Sequence, residues 1–434
     1  MNLHRLLQRR LATGKPVRVG LIGAGKFGSM FLAQVPTTPG IEVAAIADLA
    51  PDRAKEACRR VGWNSARIEA TRFTDDAAKL LAAPDVEVVV EATGHAPAGI
   101  AHARGAIANG KHIVMVNVEA DVLAGPLLAQ QAARAGVVYS LAYGDQPALI
   151  CELVDWARAC GFAVIAAGKG TKYLPEYHAS TPATVWGYYG LTPEQARVGG
   201  MNPQMFNSFL DGTKSGIEMA AVANATGLTP PPDGLGFPAV GTRELAETLR
   251  PGNAAGGLHH AGQVEVVSSL HRDGSDVAND LRWGVYVVFE APGDYTARCF
   301  KEYGVVTDAS GRISALYRPF HLIGLELNVS ILSAALRNEA TGAPDGFRAD
   351  VVATAKRALK AGEVLDGEGG GCVWGKLLPA RTSLEIGGLP IGLASCVPLI
   401  RDVGVGQCVS WADVRIEETD GAVQFRREME RTCS

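Results

Sequence analysis

The chain has 434 residues, of which 47% are apolar and 20% charged, with 51 glycines and 23 prolines. That balance fits a loop-rich globular protein of two to four domains and excludes a disordered tail, a fibrous repeat and a small disulfide-stapled scaffold. Lysine and arginine number 41 against 45 acidic residues, a formal charge of -4 with no dense basic block. Nucleic acid and anionic membranes are therefore not expected partners, and small molecules are.

The 8 cysteines are dispersed without a C-x-x-C pair, the usage of a reducing compartment rather than of a disulfide framework or zinc site. The opening residues MNLHRLLQRRLATGKPVRVG are charged every few positions and lack an apolar core segment, and no run of about 18 uncharged apolar residues follows. The expectation is a cytoplasmic protein with no membrane segment.

Over the first 167 residues short apolar runs alternate with helical stretches, the mark of repeated βα units and an α/β fold with a Rossmann-type parallel sheet. The strands expected in that sheet are Val17–Ile22, Ile41–Ala47, Val86–Ala92, His112–Asn117, Val137–Ala142 and Phe162–Ala167, continuous apolar runs because such a sheet is covered on both faces. Helices are expected over Ala98–Asn109, Pro126–Ala135 and Ala148–Cys160, stopped by Gly110, Gly136 and Gly161. Beyond residue 168 the alternation is lost. A helix over Lys214–Ala225, antiparallel strands at Gln263–Leu270, Trp283–Glu290 and Gly311–Tyr317, loops at the Thr229 Pro-rich turn and GNAAGGLHHAGQ, and a helix at Leu322–Leu336 read as an α+β domain. The last 90 or so residues, rich in Gly and Val, read as a small β-rich domain. The domain boundaries that follow are 1–167, 168–340 and 341–434.

The most specific motif is VRVGLIGAGKFG, in which Gly23-x-Gly25-x-x-Gly28 follows a strand and opens a helix. Gly23 permits a tight turn, Gly25 lets backbone approach a pyrophosphate, and Gly28 allows close helix–strand packing, while Lys26 and Phe27 lie within the turn. Asp48 ends the second strand about 20 residues on, where a carboxylate accepts from the adenosine ribose. Asp48 speaks for NAD, whereas Lys26 and Arg53 can neutralise the 2′-phosphate of NADP or can simply be solvated helix charges. Ala92, Thr93 and Gly94 fall where the nicotinamide ribose passes, and Asn117 and Glu119 where nicotinamide or substrate lies. His95 reads as a loop histidine, and the neighbouring His259 and His260 do not read as a metal site.

The densest polar constellation is Lys169, Lys172 and Tyr173, then Asp211, Lys214, Ser215 and Glu218 at a helix start. Lys214 and Glu218, four apart, share a helix face, where a surface ion pair between them is the alternative to a site. Lysine beside a helix N-terminus is unfavourable without an anion, which marks the cluster as a site. Arg318 and His321 in YRPFH are expected to clamp a phosphate or carboxylate together, or else to cap the helix that follows.

These segments, namely GLIGAGKFG, EATG, GKHIVMVNVEAD, AAGKGTKYLPEYHASTP, FLDGTKSGIEMAAVANATGL and YRPFHLIGLE, resemble the homoserine-dehydrogenase-like oxidoreductases that carry a C-terminal SAF-type β domain. RALKAGEVLDGEGG is similar to the start of that appendage. The resemblance spans nearly the whole chain and is nearest to the deoxyxylulose-phosphate-reductoisomerase-like branch. It implies conversion of 1-deoxy-D-xylulose 5-phosphate to 2-C-methyl-D-erythritol 4-phosphate, the first committed step of the methylerythritol phosphate route to isoprenoids, with NADP(H) as cofactor and sensitivity to fosmidomycin. By position in DGTKSGIEM, the group's catalytic lysine and partner acid fall on Lys214 and Asp211.

No ACT-type regulatory segment is recognisable, and the motif pattern of the main reductoisomerase family is absent, so that family's metal ligands are not carried over. For the implied reaction Lys214 and Lys169 are the oxyanion stabilisers, Asp211 the acid/base, and Lys172, Arg318 and His321 the phosphate clamp, with Tyr173 and Ser215 beside the substrate. A divalent cation, Mg or Mn, has Glu119, Asp145, Glu152 and Glu218 as candidate ligands and no spacing that singles out three. A homo-oligomer, with a homodimer favoured, is expected. The other readings are a dehydrogenase of another small hydroxy acid, amino alcohol or sugar phosphate, and a dinucleotide-sensing regulator.

Overall fold

Val17, Val19 and Leu21 of strand β1 (Val17–Ile22) are wholly buried, as a strand covered on both faces requires. Around it the computed structural model, which describes residues 2–252 and 257–433, builds a six-stranded sheet. Its members are β1, β2 (Ile41–Ala47), β3 (Arg72–Thr74), β4 (Val88–Glu91), β5 (His112–Met115) and β6 (Tyr139–Leu141), all parallel, in the order β3-β2-β1-β4-β5-β6. The order reverses between β1 and β4, and open α/β sheets bind ligands at that switch point, beyond the carboxyl ends of the strands.

The chain divides into two units, Met1–Cys151 with His321–Asp345, and Glu152–Phe320 with Gly346–Ser434. In the first, the helix Val118–Arg134 starts eight residues before the expected Pro126 and carries that proline inside it. Gly110 and Gly136 stop their helices in left-handed conformation, at φ +63° and +69°, as expected. The returning segment supplies the helix Asn328–Arg337, whose Ile331 and Leu332, with the preceding Leu327, complete the core around Val17, Leu21, Val88, Val90 and Val114. Ser330 ties it down, its hydroxyl accepting from the Tyr143 N–H at 2.7 Å and donating to the Leu141 carbonyl at 3.1 Å. This helix starts at Asn328 rather than Leu322 because Gly324 sits at φ +71°, so close to the helix Lys26–Gln34 that a Cβ there would lie 2.7 Å from the Phe27 carbonyl.

The expected sixth parallel strand belongs elsewhere. It is β7 (Ala163–Thr171), inside the four-stranded sheet of the second unit, ordered β10-β9-β7-β8 with β8 (Gln263–Ser268), β9 (Val285–Glu290) and β10 (Ile313–Arg318). Apolar runs look alike in either sheet. The real sixth member, β3, has three residues of which none is buried, too little apolar signal to register. The β8 strand also runs parallel to β7 rather than antiparallel, which the long helical crossover between them permits. The described residues omit Asn253–Gly256 of the glycine-rich loop expected before β8.

After residue 345 come two antiparallel pairs, β11 (Ala349–Ala355) with β13 (Val373–Pro379), and β12 (Val364–Asp366) with β14 (Ser395–Pro398). They join the rest of the unit through the helix Thr213–Thr226. Thr213 Oγ1 accepts from the Gly375 N–H at 2.8 Å, and Asn224 Oδ1 accepts from the Arg348 and Ala349 N–H groups at 2.8 and 3.0 Å. Among the described residues no helix is long and apolar enough to cross a membrane.

Two buried carboxyls take their hydrogen bonds from neutral groups. Asp121 accepts from the Tyr139 hydroxyl at 2.8 Å, and burial pushes its pKa up to about 7. Burial does the same to Glu265, again to about 7, against the opposite pull of the Val266, Gly236 and Phe237 amides. In an unfolded chain both lose their protons near pH 4. Between that pH and 7 the native state binds more protons, so stability is greatest in acid and falls as pH rises through 7. Asp121→Asn, which removes one of these titrations, is expected to gain stability relative to wild type by on the order of 2 kcal/mol between pH 5 and 8. Urea unfolding at the two pH values measures it, and a difference that does not change with pH contradicts the assignment.

Candidate functional site

The glycine fingerprint is built by close contacts. Gly23 turns at φ +93°, and a Cβ there would lie 2.7 Å from the Ala92 carbonyl at the end of β4. A Cβ on Gly28 would lie 2.6 Å from the Gly23 carbonyl, so the helix Lys26–Gln34 packs directly on its own turn. Gly25 differs, because nothing stands within 4 Å of its Cβ position. It caps that helix without a side-chain hydrogen bond, which leaves backbone donors of the first turn aimed at open space, the setting that binds phosphate. Phe27 packs on the core.

Asp48 is held rigidly, accepting from the Ala24 N–H and the Ala50 N–H, each at 2.9 Å. Each oxygen keeps a lone pair for a ribose hydroxyl. A cavity of about 600 Å³ opens here, lined by Gly25, Lys26, Ser29, Asp48, Arg53 and Arg60 among others. Ser29 Oγ is buried there without a hydrogen-bond partner among the described residues, an acceptor and donor in reserve for a ligand. Arg60 escaped the sequence reading, yet it stands seven residues from Arg53 in the helix Pro51–Arg60, two turns along the same face. An adenosine ribose and pyrophosphate fit this donor set, and the three cations suit a further phosphate.

The ends of β4 and β5 are polar. Asn117 is buried and fully engaged, its Oδ1 accepting from the Ala120 N–H at 3.1 Å and its Nδ2 donating to the His95 carbonyl at 3.1 Å and to Thr93 Oγ1 at 3.3 Å. It caps the helix Val118–Arg134, which explains it without a substrate contact. His95 caps the helix Ala96–Ala108 through Nδ1. Glu119 lies half-buried in the next helix, while Thr93 and Gly94 are exposed.

In the second unit the polar constellation is present but paired differently. Glu218 binds Lys169 of β7, both nearly buried, rather than the Lys214 four residues away. Asp211 is wholly buried and takes Lys356 at 2.7 Å and the Thr213 N–H at 2.9 Å. Burial pushes its carboxyl up while Lys356 pulls it down. The Lys356 ammonium is saturated, donating also to the Ser180 and Gly370 carbonyls at 2.7 and 2.6 Å. Lys356 lies too far along the chain for spacing to have found it. Lys214 sits half-buried in the first turn of the helix and Ser215 is buried behind it.

Tyr173 is buried as well, stacked on Phe237 at 3.9 Å and bonded through its hydroxyl to His178 Nε2 at 2.9 Å. His178 Nδ1 faces the Asp211 carbonyl at 2.7 Å. A carbonyl only accepts, so Nδ1 carries the proton and Tyr173 is the donor to Nε2. His178 also stacks on Trp374 at 3.9 Å; its segment was read but the histidine was not singled out. Lys172 is spent on the Tyr188 carbonyl at 2.7 Å, and burial lowers its pKa.

Arg318 ends β10 in the second unit with its guanidinium 5.6 Å from the Phe320 ring, and His321 opens the return of the chain to the first. His260 Nε2 bonds Thr229 Oγ1 at 2.6 Å. Among the described residues no group of three or more His, Cys, Asp or Glu side chains is placed to hold a metal ion.

Gly25→Val is expected to fold as wild type, since nothing stands within 4 Å of the Cβ position, and to lose dinucleotide affinity by at least about tenfold because the side chain fills the pyrophosphate approach. Calorimetric titration with NADPH tests this, and unchanged affinity in the folded variant would sink the assignment.

Residues 23–141 match the family model of the homoserine dehydrogenase NAD-binding domain, and residues 144–327 that of the catalytic domain of oxidoreductase DRL. The first stretch carries the glycine fingerprint and strands β2 to β6, so this part of the chain is similar to a homoserine dehydrogenase NAD-binding domain. An inositol 2-dehydrogenase of Acidothermus cellulolyticus is 34% identical over 126 residues, which is 29% of this chain and 35% of that relative. Among solved structures, a homoserine dehydrogenase of Thiobacillus denitrificans is similar with 20% identity and a TM-score of 0.37 over 49% of each chain. A probable dehydrogenase of Thermotoga maritima aligns over 74% of this chain and 90% of its own, at 14% identity and a TM-score of 0.39.

Proposed function

We propose that this oxidoreductase is a dehydrogenase of a small polyhydroxy or phosphorylated substrate, a sugar phosphate, polyol or hydroxy acid, using NADP in preference to NAD. The observation that carries the reading is the open Gly25 cradle with Asp48, Lys26, Arg53 and Arg60 around one cavity. The inositol dehydrogenase named above, similar in part of its length, supports a polyol-like substrate. A bound dinucleotide would supply the hydride acceptor for a carbinol carbon, and the hydroxyl proton would pass to solvent water as the carbonyl forms. Lys214 is assigned the charge that develops on that oxygen, and Asp211 holds the turn before it by accepting from the Thr213 N–H.

A second reading, reductoisomerisation of deoxyxylulose phosphate, is favoured by the DGTKSGIEM and GKGTKYLP segments and by the match to the DRL catalytic domain. One experiment separates the two. Purified enzyme is assayed with both coenzymes against a panel of inositols, hydroxy acids, sugar phosphates and deoxyxylulose phosphate, following nicotinamide absorbance. Turnover of a panel alcohol or its ketone supports the dehydrogenase, fosmidomycin-sensitive turnover of deoxyxylulose phosphate the reductoisomerase, and dinucleotide binding without turnover a sensor.

For the coenzyme, Arg53→Ala and Arg60→Ala are each expected to raise the KM for NADPH about tenfold, the size of one charge-assisted hydrogen bond, and to leave that for NADH unchanged. Equal effects on both coenzymes contradict a 2′-phosphate site. Lys214→Met is expected to lower kcat by about 100-fold with dinucleotide affinity intact, the pattern of a contact made chiefly in the transition state. Near-wild-type kcat removes Lys214 from the chemistry.

A further inference from the structure

Glu91, the last residue of β4, is 0% exposed. Its Oε1 accepts from the Thr93 hydroxyl at 2.6 Å and faces His102 Nδ1 at 3.0 Å. A carboxylate only accepts, so His102 donates from Nδ1. The other oxygen, Oε2, is buried with no partner among the described residues. Having given its proton to Glu91, the Thr93 hydroxyl has lone pairs for Asn117 Nδ2 at 3.3 Å and the His95 N–H at 3.4 Å. Four side chains thus form one chain, His102 to Glu91 to Thr93 to Asn117, joining the ends of the neighbouring strands β4 and β5.

The fold does not ask for this arrangement. A buried carboxylate with an unpaired oxygen is a net cost to folding, and an apolar side chain of similar size would avoid the penalty. Polar groups kept in a core at such a cost call for another explanation. Their position supplies it. Glu91 immediately precedes Ala92, whose carbonyl abuts the Gly23 turn, and the chain of hydrogen bonds runs from the dry core to the exposed Thr93, at the carboxyl edge where the ligand of such a sheet lies.

We propose that Glu91 and His102 are positioning residues for the nicotinamide half of the dinucleotide, acting through Thr93 and the Ala92–Gly94 backbone. Glu91 fixes the Thr93 hydroxyl by hydrogen-bond geometry, and His102 fixes Glu91. Preorganised in this way, the β4 loop meets the nicotinamide ribose without first being ordered. The inference rests on the dinucleotide-binding reading of the first unit and not on the choice of substrate.

The test uses the full chain and two ligands, NADPH and its fragment 2′-phospho-ADP-ribose, which lacks the nicotinamide half. Thr93→Val and Glu91→Met are expected to weaken NADPH binding about tenfold and to reduce the nicotinamide fluorescence change, while fragment affinity stays within about twofold. Thr93→Ser and Glu91→Gln, which keep the hydroxyl and the accepting oxygen, are expected to bind NADPH as wild type does. Equal loss of both ligands would make the chain merely structural and overturn the proposal, as would unchanged NADPH affinity in folded Thr93→Val. Wild-type protein that binds neither ligand overturns the dinucleotide reading, and this proposal with it; binding of the fragment with loss confined to NADPH supports both.

Discussion

The close approach of the β1 turn to the end of β4 governs the first unit. Because Gly23 has no side chain, backbone meets backbone at the point where the strand order reverses, and because Gly28 has none the following helix sits directly on that turn. These two contacts aim the helix N-terminus outward over Gly25. Everything assigned to the cofactor hangs from this: the rigid Asp48 carboxylate, the cavity with its three cations, and the tied ends of β4 and β5.

The second unit is organised by buried opposite charges rather than by glycine contacts. Lys169 reaches Glu218 and Lys356 reaches Asp211, each pair linking the helix Thr213–Thr226 or its leading turn to another element. Breaking a buried pair strands a charge in the core and is strongly destabilising, so these pairs hold the turn before Lys214 in place. Tyr173 and His178 add to the same support, through the Asp211 carbonyl.

The sequence was informative where the signal is local. Strands β1 and β2 were legible to the residue, and the fingerprint glycines and Asp48 stand where spacing put them, since turn geometry and apolar runs are written in consecutive residues. Strand membership was not legible: β7 has the same small, apolar composition as its neighbours, and only its partners assign it to the second sheet. The partners of the buried charges were not legible either. Helical spacing offered Lys214 for Glu218, but a buried lysine from another strand wins because desolvated partners interact more strongly than an i, i+4 pair on a wet face. His178 and Lys356 carried no local mark at all, whereas Arg60 did, by its heptad spacing from Arg53.

The return of residues 321–345 to the first unit has a bearing on how the chain comes to be made. The face of the sheet that Leu327, Ile331 and Leu332 cover stays bare on a ribosome until those residues have emerged, although all six strands are synthesised long before. During that interval a nascent dinucleotide-binding unit exposes Val17, Leu21 and Val88 as a sticky surface of the kind chaperones recognise. Excising residues 1–151 to obtain a minimal binding module would reproduce this immature state permanently, so an autonomous module has to carry the distant segment, grafted on by a linker or supplied as a separate peptide.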